Sequence, residues 1–218
     1  MRISIAMTEI AAWVSLTAVA VSGGLLLILH WVKPELDPSW RMVSEYAIGR
    51  YGWLMMAVFL SLTTSCLATV IAVLPHVHTF DGYVGLAILL ATAAAMAVAA
   101  MFTTDPITTP TGARSAHGKL HGTAAMVGIP GFAIAAALIT WSLVRNPSWD
   151  SSRWPLIWSA CFVWFSLLAM ILTVLVLLPR NGGTFGPGVP VGWPNRLVMI
   201  SYYTWLTAVA WACRQVSR

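Results

Sequence analysis

The sequence predicts an all-α integral membrane protein, a bundle of about six transmembrane helices with a short interfacial helix in the first loop. Hydrophobic residues make up 59% of the 218 residues and charged residues only 9%, which is more apolar surface than one soluble core of this size buries. Long apolar segments also follow one another along the chain, each near the roughly 20 residues that a helix needs to cross a bilayer. No linker divides them, so residues 1–218 are expected to form a single polytopic transmembrane domain.

Six apolar segments account for this architecture. We place them at residues 10–31, 53–74, 83–102, 120–144, 154–178 and 197–213. The first is too long for the apolar part of a signal peptide and five more follow it, so we expect it to be retained. With six spans, the first, third and fifth loops emerge on one face of the membrane, which we call the loop face.

The first loop carries the signals of a short helix. Asp37 suits the N-cap, Pro38 suits the first helical position and Gly49 suits the C-terminal stop. An apolar stripe along this segment lies opposite Arg41 and Glu45, which are four residues apart. This pattern is typical of a helix that lies in the membrane interface.

Polar residues of the odd-numbered loops, and of the helices beside them, converge on the loop face. Because these loops share one end of a helical bundle, their side chains can meet there. The candidate site residues are Glu45, Tyr46, Arg50, Asp105, His117, His121, Arg196 and Tyr202.

Glu45 and Asp105 are the candidate catalytic acid and base, and His121 is a candidate to assist them. A carboxyl group drawn into a poorly solvated pocket keeps its proton more readily and can act as a general acid. Such a pair could hydrolyse a lipid-like substrate, or protonate an isoprenoid and start its cyclisation. The structural alternative is that Arg41 pairs with Glu45 across one helical turn, and that Asp105 caps the turn after the third span.

Four further residues are candidates for holding the substrate. Arg50 and Arg196 would bind an anionic group. Tyr46 and Tyr202 are also candidates for substrate binding, and Tyr202 lies about one to two turns inside the last predicted span.

His117 and His121 are four residues apart and share one side of the fourth span. This spacing can bind zinc if His30, Glu45 or Asp105 completes the site, and zinc-bound water could then attack an ester or amide. No HExxH-type signature accompanies the pair. The alternatives are a haem held by His30 and His121, or no cofactor at all, with the imidazoles donating hydrogen bonds to loop carbonyls.

Two other function classes remain open. One is a small transporter or ligand-binding membrane protein, for which a homo-oligomer would compensate the short chain. The other is an accessory subunit of a membrane complex. The expected partners of this chain are the lipid bilayer of the cell membrane and a hydrophobic or amphipathic small molecule, whereas an accessory subunit would copurify with a partner. The net charge of +5 is scattered over loops and termini with no basic run, which argues against nucleic acid.

Four short motifs occur in order between the spans: SEYAIGRYG, FTTDP, GKLHG and NR. With them the chain resembles the prokaryotic six-span membrane family catalogued as domain of unknown function 998 (DUF998), over nearly its whole length. The resemblance implies a six-helix membrane fold and leaves the chemistry undefined. Its polar pattern falls here on Ser44, Glu45, Gly49, Gly52, Asp105, His121 and Arg196. Asn195 stands where the family pattern has a glutamine, and His117 is outside that pattern.

Overall fold

The computed structural model describes residues 2–216, and over that range it contains helices and no strand. The six α-helices are α1 Arg2–Val32, α2 Gly52–Val73, α3 Phe80–Met101, α4 Ala116–Val144, α5 Arg153–Arg180 and α6 Gly192–Val216. Short 3-10 helices occupy the loops at Val43–Ala47, Leu74–His76, Thr111–Ala113 and Pro147–Ser152. The predicted all-α fold class is therefore confirmed.

Five of these helices, α1 to α5, are long and apolar enough to cross a membrane. With 25 residues, α6 is also long enough. Serine, tyrosine, threonine and arginine interrupt its sequence, however, and lower its hydropathy. Some of these polar side chains are buried against neighbouring helices, among them Ser201 and Tyr202. A membrane crossing by α6, and with it the count of six spans, stays a prediction.

Every one of the six helices begins before the segment predicted for it, and α1 and α6 differ most. Helix α1 begins at Arg2 instead of residue 10, because no glycine or proline interrupts residues 2–9. Helix α6 begins at Gly192 instead of residue 197, since Pro194 falls in the first turn, where its missing N–H is not needed. Helix α5 continues to Arg180.

The six helices form a closed ring. Each helix packs beside the next one along the chain, and α6 returns to pack against α1. Helix α2 also reaches α6 across the interior. Hydroxyl groups join neighbouring helices, as between Ser15 and Thr69 (2.9 Å) and between Ser166 and Ser201 (2.8 Å). Such hydrogen bonds and small side chains hold helices together where apolar burial alone does not.

The first loop contains a shorter helix than the sequence predicts. Only Val43–Ala47 is helical, and it is a 3-10 helix. Asp37 does not cap it, because its carboxylate accepts the N–H of Ser39 in a local turn (2.8 Å). Val43 and Tyr46 are buried, so this segment packs on the end of the bundle.

Candidate functional site

The first loop, residues 33–51, is fastened to the loop-face end of the bundle. The ammonium group of Lys33 donates hydrogen bonds to the carbonyl oxygens of Tyr46 (3.1 Å) and Ile48. Burial of Lys33 lowers its pKa. On the other side, the N–H of Gly192 donates to the carbonyl oxygen of Ser39 (3.0 Å). A Cβ at Gly192 would collide with backbone atoms of the first loop. The loop therefore crosses the start of α6 in direct backbone contact.

Glu45 joins the first loop to the third. Its side chain is 1% exposed, and Oε2 accepts the N–H of Met42 (2.8 Å) while Oε1 accepts the N–H of Ile107 (2.9 Å). Arg41 Nη2 lies 3.1 Å from Oε1. The Arg41–Glu45 pairing considered from the sequence is therefore present. These contacts are those of a structural anchor, and the catalytic role of Glu45 stays a prediction.

Arg196 is the centre of a second hydrogen-bonded cluster. Its guanidinium group is buried, with the residue 7% exposed. It donates to His30 Nε2 (2.7 Å), to the carbonyl oxygens of Arg41 (2.8 Å) and Gly192 (3.1 Å), and to the Tyr46 hydroxyl (3.1 Å). No carboxylate lies within ion-pair distance of it among residues 2–216. Arg196 and Tyr46 therefore contact each other and hold the first loop, and their role in substrate binding stays a prediction.

His30 completes this cluster from the end of α1. Its Nδ1 lies 2.8 Å from the carbonyl oxygen of Leu26, and a carbonyl oxygen only accepts hydrogen bonds. The ring proton is therefore assigned to Nδ1, which leaves Nε2 free to accept from Arg196. This arrangement holds His30 as a neutral imidazole and occupies the nitrogen that a metal or a haem iron would need.

Asp105 fastens the third loop to the start of α4. Its Oδ2 accepts the N–H of Ser115 (2.8 Å), the N-cap residue of α4. A Cβ at Gly118 would collide with the same carboxylate. Only glycine at position 118 therefore leaves room for the Asp105 carboxylate at the start of α4.

The two histidines of α4 have different surroundings. His121 is 4% exposed, and its Nδ1 lies 3.1 Å from the carbonyl oxygen of Ala99 and 2.9 Å from that of Phe102. His117 is exposed, and its ring packs against Phe102 with centroids 5.3 Å apart. Within residues 2–216 no group of three or more His, Cys, Asp or Glu side chains could hold a metal ion. Within the described chain, no third ligand therefore accompanies His117 and His121 to complete the zinc site considered from the sequence.

Arg50 and Tyr202 lie apart from these clusters. Arg50 is exposed, and its guanidinium group lies 4.6 Å from the ring centroid of the adjacent Tyr51. Tyr202 is buried in the interior, where its hydroxyl donates to the carbonyl oxygen of Ile129 (2.6 Å). Its ring stacks on Phe132, with centroids 3.8 Å apart. The structure thus does not bring Arg50 to Arg196.

A cavity of about 90 Å³ lies inside the bundle beneath the first loop. Helices α2, α3, α4 and α6 form its walls, and Val43 and Ser44 of the first loop contribute to its lining. The other polar side chains in the lining are His121, Asn195 and Tyr202; the remaining side chains are apolar. No charged side chain of the described chain lines it.

The sequence of α4 explains part of this space. Gly128 and Ile129 line the cavity directly before Pro130, which lies inside the helix. Proline lacks an N–H and clashes with the carbonyl group four residues earlier, so it disturbs the regular helix at this level. Gly128 contributes no side chain, which leaves the adjacent volume empty.

Ser44 and Asn195 line the cavity but are not among the candidate site residues named from the sequence. The Ser44 hydroxyl makes no hydrogen bond within residues 2–216. Asn195 accepts the N–H of Val43 through Oδ1 (2.8 Å), while its Nδ2 has only a long contact with the sulfur of Met170 (3.9 Å). The available signal was the family resemblance, because Ser44 belongs to the polar pattern that it implies and Asn195 stands at the glutamine position of that pattern.

One comparison with known proteins identifies a family. The sequence model of a family described as "Protein of unknown function (DUF998)" matches residues 10–212, which is nearly the whole chain. No match was found among curated proteins or among solved structures. The family match includes the first loop, the third loop and α4, which together build the site. The chain therefore belongs to the DUF998 family, as its four short motifs suggested.

Proposed function

We propose that this DUF998 protein is a multi-pass protein of the cell membrane that binds a lipid-like or amphipathic small molecule, with one end of the molecule in the cavity beneath the first loop. The observation that supports this proposal is the cavity itself, because apolar walls with a few polar groups are typical of small-molecule sites. Its volume of about 90 Å³ suits a few non-hydrogen atoms, since an apolar cavity of about 150 Å³ holds benzene.

Binding is favoured over acid-base chemistry because the two carboxylates are engaged elsewhere. Both oxygens of Glu45 accept backbone N–H groups, and Oε1 also pairs with Arg41. Asp105 accepts the N–H of Ser115 and packs against Gly118. Neither carboxylate lines the cavity. A general acid or base must reach the atom that it protonates or deprotonates, which these contacts oppose.

A membrane-embedded enzyme acting on the same class of molecule is the second candidate. One observation favours it: His121 lines the cavity while its Nδ1 is held by two carbonyl groups. The other ring nitrogen can then accept a proton, as a general base does. Hydrolysis or proton-initiated cyclisation, with Glu45 and Asp105 as acid and base, belongs to this second candidate.

The proposal can be tested by filling the cavity. Gly128→Leu places a side chain into it, and the first carbon of that side chain meets only Ala95 at an ordinary 3.5 Å. Gly122→Leu is the matched control on the same helix, where a Cβ meets nothing within 4 Å and the cavity is not touched. Wild type and both variants would be purified in lipid nanodiscs, and the bound small molecules identified by mass spectrometry against empty nanodiscs.

We expect a species enriched with wild type and with Gly122→Leu, and lost with Gly128→Leu. Retention of that species by Gly128→Leu, or no enriched species in any sample, would contradict ligand binding in the cavity. A protein that copurifies equally with all three would instead favour the accessory-subunit class.

A further inference from the structure

The chemistry of the cavity lining specifies the end of the molecule that enters it. Resting on the proposed function, we infer that this end is a neutral hydroxyl group, an alcohol. His121 Nε2 accepts the hydrogen bond from the alcohol O–H, and the Ser44 hydroxyl donates to the alcohol oxygen. The ligand is then an amphipathic alcohol rather than an anionic lipid or a fatty acid anion.

The role of His121 follows from its hydrogen bonds. Carbonyl oxygens have no proton to donate, so the two contacts of Nδ1 with Ala99 and Phe102 require the ring proton to be on Nδ1. A neutral imidazole with its proton on Nδ1 carries a lone pair on Nε2. No hydrogen bond to Nε2 is found within residues 2–216, and His121 lines the cavity. Nε2 is not one of the enclosed, unpartnered polar atoms of residues 2–216, so a ligand donor in the cavity can reach its lone pair.

Ser44 supplies a complementary donor. Its hydroxyl makes no hydrogen bond within the described chain, and the residue lines the same cavity as His121. A hydroxyl group rotates, so it can donate to a ligand oxygen while that ligand donates elsewhere. The neighbouring Asn195 keeps an amide donor available at the same wall, because Nδ2 has only a 3.9 Å contact with sulfur. An alcohol, which both donates and accepts, matches this set.

The absence of charge in the described lining selects against ions. Moving an ionised carboxylate or phosphate into an apolar cavity costs far more than moving a neutral hydroxyl unless an opposite charge meets it. Arg196, which follows Asn195 in the chain, is not part of the lining, and its guanidinium group already donates to four acceptors.

Three probes of similar size separate these chemistries: 1-octanol, 1-methoxyheptane and octanoate. The ether has the same number of non-hydrogen atoms as the alcohol but no O–H donor. Binding of each to the protein in nanodiscs would be measured by equilibrium dialysis, corrected for uptake by empty nanodiscs. Histidine labelled with ¹⁵N would report by NMR whether the His121 nitrogen without the proton accepts a hydrogen bond. Loss of one neutral hydrogen bond predicts binding of the alcohol about tenfold tighter than of the ether.

Variants then assign the effect to its residues. His121→Asn keeps an amide donor near the Nδ1 position, so the contacts with Ala99 and Phe102 can persist, and removes the Nε2 acceptor. We expect this variant to bind 1-octanol only as tightly as wild type binds 1-methoxyheptane. Ser44→Ala is expected to weaken alcohol binding by about threefold to tenfold. His117→Asn, one turn earlier and exposed, is the matched control and should change neither affinity.

Equal affinity for alcohol and ether, with both lost in Gly128→Leu, would overturn the alcohol assignment while leaving ligand binding in the cavity intact. Tighter binding of octanoate than of octanol would overturn it in favour of an anion site. Binding of all three probes unchanged by Gly128→Leu, or no binding of any probe, would count against both this inference and the proposed function.

Discussion

Replacing Glu45 with glutamine separates an anchoring role from a catalytic one. The carboxylate accepts two backbone N–H groups, at 2.8 and 2.9 Å, and pairs with Arg41 at 3.1 Å, at a residue that is 1% exposed. A glutamine side chain keeps one acceptor oxygen and turns an NH₂ group toward a backbone donor. Removing one partner of a buried ion pair costs about 3–5 kcal/mol, and a hydrogen bond to a charged group contributes about 1.5–3 kcal/mol. We expect Glu45→Gln to lower the free energy of unfolding by about 3–5 kcal/mol.

The assay is unfolding by SDS titrated into mild-detergent micelles, followed by the fluorescence of the twelve tryptophans. Glu35→Gln is the matched control, since Glu35 lies exposed in the same loop, and its effect should stay below about 0.5 kcal/mol. A Glu45→Gln variant as stable as wild type would refute the anchoring argument. If that stable variant also failed to restore the metabolite profile of cells lacking the gene, the catalytic role predicted from the sequence would be supported instead.

Three further substitutions test other contacts by the same unfolding titration. Gly192→Ala should lower the free energy of unfolding by about 2–3 kcal/mol, because the added Cβ would collide with the backbone of the first loop. Its control is Gly24→Ala, where a Cβ meets nothing within 4 Å, and this variant should be neutral or stabilising by up to about 1 kcal/mol. Equal effects of the two would contradict the close contact. Arg196→Lys should cost about 2–4 kcal/mol and expose the first loop to protease, since one ammonium group cannot reach four acceptors; an unchanged cleavage rate would argue against this fastening. Trp205→Phe removes an indole hydrogen bond of 2.9 Å to α4 and should lower the free energy of unfolding by about 1 kcal/mol. Trp211→Phe, at an exposed position, should leave it unchanged. A Trp205→Phe variant as stable as wild type would show that this hydrogen bond does not stabilise the fold.

The hydrogen bonds give different roles to the residues that the family resemblance singled out. The five polar side chains of the pattern that the family resemblance implies fall into two groups here. Glu45, Asp105 and Arg196 hold the loops in place, whereas Ser44 and His121 line the cavity. Variants of the first group should change stability, and variants of the second should change ligand affinity. This division follows from the hydrogen bonds and could not be read from the motifs.

The sequence by itself determined the parts of this protein that depend on neighbouring residues. Apolar runs of about 20 residues predict membrane helices because lipid leaves backbone groups no other partners, and α1 to α5 meet that description. The Arg41–Glu45 pair could also be predicted from the sequence, because residues four apart are neighbours within one turn. Residues 37–49, expected to form one helix, show the limit of this reasoning. Only Val43–Ala47 is helical, and this segment contacts α1, α6 and the third loop, which are distant in sequence.

Only the tertiary structure decided what the polar residues do. Arg196 meets His30 across 166 positions of the chain, and Val43 meets Asn195 across 152. Such contacts depend on how the ring of helices closes, which hydropathy and periodicity do not specify. The cavity depends on the same closure, because its lining combines α2, α3, α4, α6 and the first loop. Burial then determines chemistry: a carboxylate surrounded by backbone N–H groups becomes an anchor, and a histidine whose Nδ1 faces two carbonyl groups keeps an acceptor for a ligand.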